Sequence, residues 1–179
     1  FLSIPLVYLI AELSPAFIRS ADDRMEPSAS TLLVEAGILV MAKTKELFQE
    51  YLKDVFKTNK SKDSTELSYY PDLKDFLSVI AGELGHKVAV TASPKKKESN
   101  MPDFSIRNAE GDPIGYIEAK PPEEENLQKI YDSDQLERYR KELGNLILTN
   151  FLEFWLIREG KVISKARFGS QRVLFQAKT

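Results

Sequence analysis

Apolar residues at Leu47, Phe48, Tyr51, Leu52, Val55 and Phe56 recur every three or four positions, which predicts a helix over about 43–57. The polar run TNKSKDS follows, and STELSYYPDLKDFLSVIAGELG predicts a second helix. Ser64 or Thr65 can cap it, Pro71 falls early enough to be tolerated, and Gly85 sits where a helix ends in a left-handed residue. The period then changes from helical to alternating. HKVAVTA reads as a short strand and SPKKKESN as a loop, then DFSIRN and PIGYIEAK read as two strands separated by AEGD. PPEEEN breaks the chain before a helix of about 127–143, which Gly144 ends. NLILTN has the apolar character of a buried strand, and FLEFWLI and KVISKARF flank a hairpin turn at Glu159-Gly160. This order of elements, without internal repeats, predicts one α/β domain with a mixed sheet.

The first forty residues fit this pattern poorly. FLSIPLVYLIAEL is too short to span a bilayer and lacks the basic region and cleavage site of a signal peptide. ASTLLVEAGILV is a second apolar run, interrupted by Glu35. Met41 then opens the amphipathic helix, and the GGN codon of Gly37 falls just ahead of it, where part of a bacterial ribosome-binding site would lie. Two readings stay open: residues 1–40 as upstream reading frame, or as a loosely attached N-terminal extension. In both, residues 41–179 form the domain.

Composition narrows the chemistry. At 179 residues, 42% hydrophobic and 29% charged, the chain is expected to be globular, cytoplasmic and not a membrane protein. Its net charge of −2 supplies no global attraction for nucleic acid, so such binding requires a local basic patch. The absence of cysteine excludes disulfides and thiolate-ligated zinc, and the single histidine, His86, excludes multi-histidine metal sites. A lone histidine beside a strand is ordinarily structural. Any metal would therefore be held by oxygen, which favours magnesium, manganese or calcium.

The stretch MPDFSIRNAEGDPIGYIEAKPP places acids on two neighbouring strands. With Glu110-Gly111 as a two-residue turn, Ala109 pairs with Asp112, and counting outward sets Asp103 opposite Glu118. Such pairs approach within about 5 Å at Cβ, so two carboxylates there repel each other. A divalent cation reverses the sign of that interaction. Lys120, two residues after Glu118, points to the same face. Carboxylates that hold magnesium, beside a lysine that orients water or stabilises developing charge, have the parts for phosphodiester hydrolysis. The carbonyl of Ala119 lies between and is a further candidate ligand. A bare Glu-x-Lys is also common as a surface ion pair.

The Pro-Asp at 102–103 followed by Glu-Ala-Lys at 118–120 is similar to the PD-(D/E)XK nuclease signature. The wider string, PDF, GYIEAKPP and SDQLERYRKEL through NLILTNFLEFWLIREG, resembles the N-terminal nuclease domain of bacterial type IIG restriction–modification fusion proteins. The likeness runs from about Leu47 to about Phe168. It implies a restriction-endonuclease-like fold, a mixed central sheet flanked by helices, that cuts DNA with Mg2+, with Mn2+ as a substitute. It further implies that a methyltransferase and target-recognition region is supplied elsewhere; double-strand cutting by a domain with one site would require two copies, a transient dimer. On this resemblance Glu66 matches an acid on the first helix that adds to the metal shell, though any acid is favoured in a helix's first turn. Gln135 and Tyr139 match a Gln-x-x-x-Tyr element and share one helical face; the plainer reading is a half-buried face with Leu136 and Leu143 in the core.

The remaining features read as structural. Phe151, Phe154 and Trp155 belong in the core rather than under a stacked base. Lys95, Lys96 and Lys97 form a solvated loop run with the alternative of a phosphate contact. Glu123, Glu124 and Glu125 would repel DNA, so their loop is expected to face away or fold over the edge of the site. Two alternatives to a restriction nuclease remain: a non-catalytic DNA-binding or assembly module of the same fold, and a DNA repair or recombination nuclease.

Overall fold

The computed structural model describes residues 46–61, 63–83, 85–93, 101–170 and 172. Residues 1–40, with both readings made of them, and Lys95, Lys96 and Lys97 lie outside the described residues. Helix α1 covers residues 46–60. A 3-10 turn, Glu66–Tyr69, runs directly into α2, Tyr70–Glu83, so the second predicted helix begins with a tighter turn than expected. Ser68 supplies that turn's polar closure, its Oγ accepting the Thr65 N–H at 3.1 Å. At the other end, Gly85 takes φ +77°. The N–H groups of Gly85 and His86 donate to Gly82 and Ala81 carbonyls at 3.0 and 2.8 Å, the paired closure of a left-handed helix end.

Six strands follow the chain in space: β1 Ala89–Ala92, β2 Phe104–Arg107, β3 Pro113–Ala119, β4 Asn145–Thr149, β5 Glu153–Arg158 and β6 Lys161–Arg167. β3 and β4 are parallel and every other neighbouring pair is antiparallel. The parallel pair requires a crossover, which two helices provide, α3 Leu127–Tyr131 and α4 Asp134–Glu142.

The period of two divides the sheet into faces. Phe104, Ile106, Ile117, Ala119, Ile147, Phe154 and Leu156 pack against Phe48, Tyr51 and Val55 of α1 and Tyr70, Leu73, Phe76 and Ile80 of α2. Leu146, Leu148, Trp155 and Ile157 lie beneath Leu127, Leu136 and Tyr139 of α3 and α4. Each large side chain fully buried in this way stabilises the fold by about 1.5–3 kcal/mol. Among the described residues, no helix is long and apolar enough to cross a membrane.

Where a single helix over 127–143 was expected, the structure has two. Asn126 Oδ1 caps α3 by accepting the Lys129 N–H at 3.0 Å. Ser133, extended at φ −75° and ψ 152°, then interrupts the helix. Its Oγ donates to the Ile130 carbonyl at 2.7 Å and accepts the Leu136 N–H at 3.4 Å, ending one helix and starting the next. Apolar spacing alone did not register this competition from a capping side chain.

The β2–β3 hairpin also departs from expectation. Asn108 N–H donates to the Asp112 carbonyl at 3.0 Å and Gly111 N–H to the Asn108 carbonyl at 3.1 Å, with Gly111 at φ +91°. The loop is therefore Ala109, Glu110 and Gly111, not the two-residue Glu110-Gly111 turn. This shifts the register by one, and Arg107 pairs with Pro113. An irregularity between Arg107 and Ile106 shifts it back, so Ile106 pairs with Gly115 and Phe104 with Ile117. The two departures cancel before the far end of the strands. The Glu159-Gly160 turn is as read, with φ 48° and 77° between paired Arg158 and Lys161.

Between β4 and β5, Phe151 takes φ 67°, a conformation unusual for a side-chain-bearing residue. Thr149 Oγ1 accepts its N–H at 2.9 Å and Tyr51 Oη donates to its carbonyl at 2.9 Å, which holds it there. Phe151, Phe154 and Trp155 are all buried. Trp155 Nε1 is bonded to Glu153 Oε1 at 2.6 Å, and Lys165 Nζ lies 3.3 Å from the ring centroid, so the indole is already covered.

Candidate functional site

Because Phe104 pairs with Ile117, the next position outward on each strand sets Asp103 opposite Glu118. Asp103 is fixed through its backbone, whose carbonyl accepts the Ser93 N–H at 2.7 Å and so extends the β1–β2 pairing. Its Oδ2 accepts the Ala119 N–H at 2.9 Å. Its Oδ1 accepts the Tyr70 hydroxyl at 2.5 Å, and the same hydroxyl lies 3.0 Å from Glu66 Oε1. Glu66, from the turn before α2, and Asp103, from the sheet, are thus joined through one phenol.

Glu118 belongs to the second face of the sheet, beneath α4, and is 3% exposed. Lys120 lies just beyond the end of β3, its N–H donating to the Thr149 carbonyl of β4 at 2.8 Å. Its Nζ is 2.5 Å from Glu118 Oε1. Gln135 Nε2 is 3.2 Å from the same oxygen and 3.2 Å from Tyr139 Oη. The i, i+4 spacing on α4 therefore presents Gln135 to Glu118 and Tyr139 to Gln135, with Tyr139 buried in the core beside Leu136.

Burial is the main reason the Glu118 carboxyl is pushed up to about 7; Lys120 opposes the rise, and the charges of Asp103 and Glu66 add to it. Burial works against the charged form of Lys120, but the Glu118 carboxylate outweighs it and the ammonium is held above its ordinary range. Burial likewise raises the Tyr70 hydroxyl, reinforced by its bond to Asp103, and raises the Tyr139 hydroxyl. The lysine is therefore a fixed cation beside a carboxyl that titrates near neutrality.

All the residues singled out from the sequence, Glu66, Asp103, Glu118, Ala119, Lys120, Gln135 and Tyr139, fall in this one region at the end of β3. The acids do not form a single three-carboxylate shell: among the described residues, no three or more Asp, Glu, His or Cys are grouped as a metal would require. Tyr70 links Glu66 and Asp103, while Lys120 and Gln135 occupy Glu118. Tyr70 escaped the sequence reading, although its spacing of four from Glu66 placed it on the same helical side. Asn150 Nδ2 donates to the Glu124 carbonyl at 2.7 Å, which ties the Glu123–Glu125 loop to the end of β4. A cavity of about 360 Å³, walled by Leu77, Val90, Ile106 and Ile114, lies by the β2–β3 turn, at the opposite end of β2 from Asp103.

Comparison with protein-family models and with curated proteins finds no match. Among solved structures, the chain is similar to one in a cryo-EM structure of a DrdV–DNA complex, at 19% identity and a TM-score of 0.53. The likeness covers 69% of this chain and 87% of that one. It shows the fold. The mixed six-stranded sheet between two helical layers is a restriction-endonuclease-like α/β fold, as the signature implied.

Proposed function

We propose that the chain is a magnesium-dependent DNA endonuclease domain of the PD-(D/E)XK kind, the cleavage module of a bacterial restriction–modification enzyme. The observation that carries this reading is the end of β3: Glu118 lies opposite Asp103, with Lys120 Nζ 2.5 Å from Glu118 Oε1. The likeness to a DNA-bound structure supports DNA as the substrate. Specificity would come from a target-recognition region and methyltransferase supplied elsewhere, and double-strand cutting from a transient dimer.

The donor set fits magnesium. That ion is commonly held by one or two carboxylates, with water and substrate phosphate completing its shell, so a three-acid cluster is not needed. Burial, with the nearby charges of Asp103 and Glu66, raises the Glu118 carboxyl even with Lys120 beside it, and a divalent cation would favour its ionised form. Asp103 and Glu118 would hold it, with Glu66 and the Ala119 carbonyl as further oxygens. Manganese would serve by the same chemistry. When bound, the ion lowers the pKa of a water and neutralises charge on the phosphate.

The protein's own groups do the rest. Lys120, held charged, orients the attacking water or meets an anionic phosphate oxygen. Gln135, itself placed by Tyr139, keeps the Glu118 carboxylate in one orientation. The apolar layers beneath β3 keep bulk water from the buried side, which strengthens each of these interactions.

Nicking of supercoiled plasmid in Mg2+ tests the reading, comparing wild type with Asp103→Ala and Lys120→Ala. Nicking is expected to disappear in both, and Ca2+ is expected to support binding with little cleavage. Activity that survives both substitutions removes this site from the mechanism.

The absence of a three-acid cluster among the described residues, with Glu118 already paired to Lys120, favours a second reading, a non-catalytic DNA-binding or assembly module. That reading predicts DNA binding without nicking in either Mg2+ or Mn2+. Linear, branched and single-stranded DNA substrates distinguish a restriction nuclease from a repair or recombination nuclease.

A further inference from the structure

Tyr70 opens α2, immediately after the 3-10 turn that carries Glu66. Its ring is buried, packed against Phe104 with centroids 4.5 Å apart and against Phe151 at 6.5 Å. Those neighbours come from β2 and from the β4–β5 connection, so the phenol is held from two directions. The hydroxyl has one proton and meets two carboxylates, Asp103 Oδ1 at 2.5 Å and Glu66 Oε1 at 3.0 Å. Asp103 is held on its other oxygen by the Ala119 N–H. With both oxygens engaged, its carboxylate has one orientation.

We infer that Tyr70 is a positioning residue for a divalent cation at this site, aligning Asp103 and Glu66 before the ion arrives. The inference rests on the proposed nuclease reading and adds a residue to it. Without the ion, two acids from different elements would repel and turn toward water. A hydroxyl between them offsets part of that repulsion and fixes the distance between helix and sheet. Tyr70 acts through the two acids, and its contribution is to the affinity for the cation rather than to the chemistry of cleavage. Partners of metal-ligating carboxylates typically account for about 10–100-fold in metal affinity.

Tyr70→Phe removes the hydroxyl and keeps the ring between Phe104 and Phe151. Mn2+ binding to the full chain, measured by calorimetry and by electron paramagnetic resonance of the free ion, is expected to weaken by about tenfold or more. The Mg2+ concentration for half-maximal nicking should rise by a similar factor, and the rate at saturating Mg2+ should return to near the wild-type value. A merely structural role would lower the rate at every Mg2+ concentration. Wild-type Mn2+ affinity in Tyr70→Phe overturns the inference, as does a rate that saturating Mg2+ fails to restore.

A second measurement does not depend on that variant folding. With 3-fluorotyrosine placed at position 70, the 19F resonance is expected to shift on Mn2+-free Mg2+ titration, with the midpoint found for Mg2+ binding. A resonance unmoved through saturation overturns the inference. Asp103→Asn and Glu118→Gln separate the two readings. If neither weakens Mn2+ binding relative to wild type, the nuclease reading fails and this one with it. If both do and Tyr70→Phe does not, this inference alone fails.

Discussion

Lys120 Nζ and Glu118 Oε1 stand 2.5 Å apart at the end of β3, the carboxylate buried and the ammonium partly exposed. Removing one partner of a fully buried pair costs about 3–5 kcal/mol, because the other charge is left uncompensated. Lys120 retains some solvent, so Lys120→Met is expected to lose about 1–3 kcal/mol at pH 8. Urea unfolding measures this. The loss should shrink at pH 5, where Glu118 takes up a proton, and should largely vanish in a Glu118→Gln background.

Glu118 also sets a pH dependence in the metal-free protein. Its folded-state carboxyl is pushed up to about 7 from an ordinary 4.5, first by burial. The folded protein therefore binds the proton more tightly than the unfolded chain does. That contribution to stability is complete below about pH 4.5 and is lost as pH rises through about 7. Glu118→Gln cannot lose it, and above pH 7 it should exceed wild type in stability by on the order of 1–3 kcal/mol. Unfolding curves between pH 4.5 and 8.5 test this; equal slopes for both proteins would refute it. Added Mg2+ should raise wild-type stability more at pH 8 than at pH 6, since the cation favours the ionised carboxylate.

Gln135 offers one amide nitrogen to both Glu118 and Tyr139. Gln135→Ala should slow nicking by about tenfold or more through loss of carboxylate orientation. Tyr139→Phe keeps the buried ring and should have a smaller effect. Single-turnover nicking rates distinguish them, and a larger effect for Tyr139→Phe would reverse their assigned order.

Ser133 separates α3 from α4. Ser133→Ala removes the cap at Leu136 and is expected to destabilise the fold by about 1 kcal/mol. Because α4 carries Gln135, the variant should also lower nicking, whereas the same loss of stability placed elsewhere should not. Thermal melts and nicking on one preparation test the link.

Gly111 adopts φ +91° in the β2–β3 loop, where an L side chain is strained although space is open around it. Gly111→Ala should cost about 1–2 kcal/mol and leave the Asp103–Glu118 register unchanged, since the irregularity beside Arg107 lies between the loop and the site. Retained Mn2+ affinity in that variant is the check.

The sequence itself determined much of this protein. Alternation placed β2 and β3, apolar runs and a hairpin turn placed the later strands, helical spacing placed α1 and α2, and Glu159-Gly160 and Gly85 named their own backbone conformations. These are local properties, set by period and by what each backbone position tolerates. Asp103, Glu118 and Lys120 were legible for the same reason, because side-chain direction on a strand follows from counting. The count reached the right register through a turn that is one residue longer than assumed, with an irregularity that restores it. Hydrogen bonds along the whole ladder settle such offsets, and no dipeptide reports them. Only the tertiary structure decided that Asn150 ties the acidic loop to the end of β4 and that Tyr70 spans Glu66 and Asp103. Each of these joins residues from separate elements, whose distance is set by how the helical layers close on the sheet.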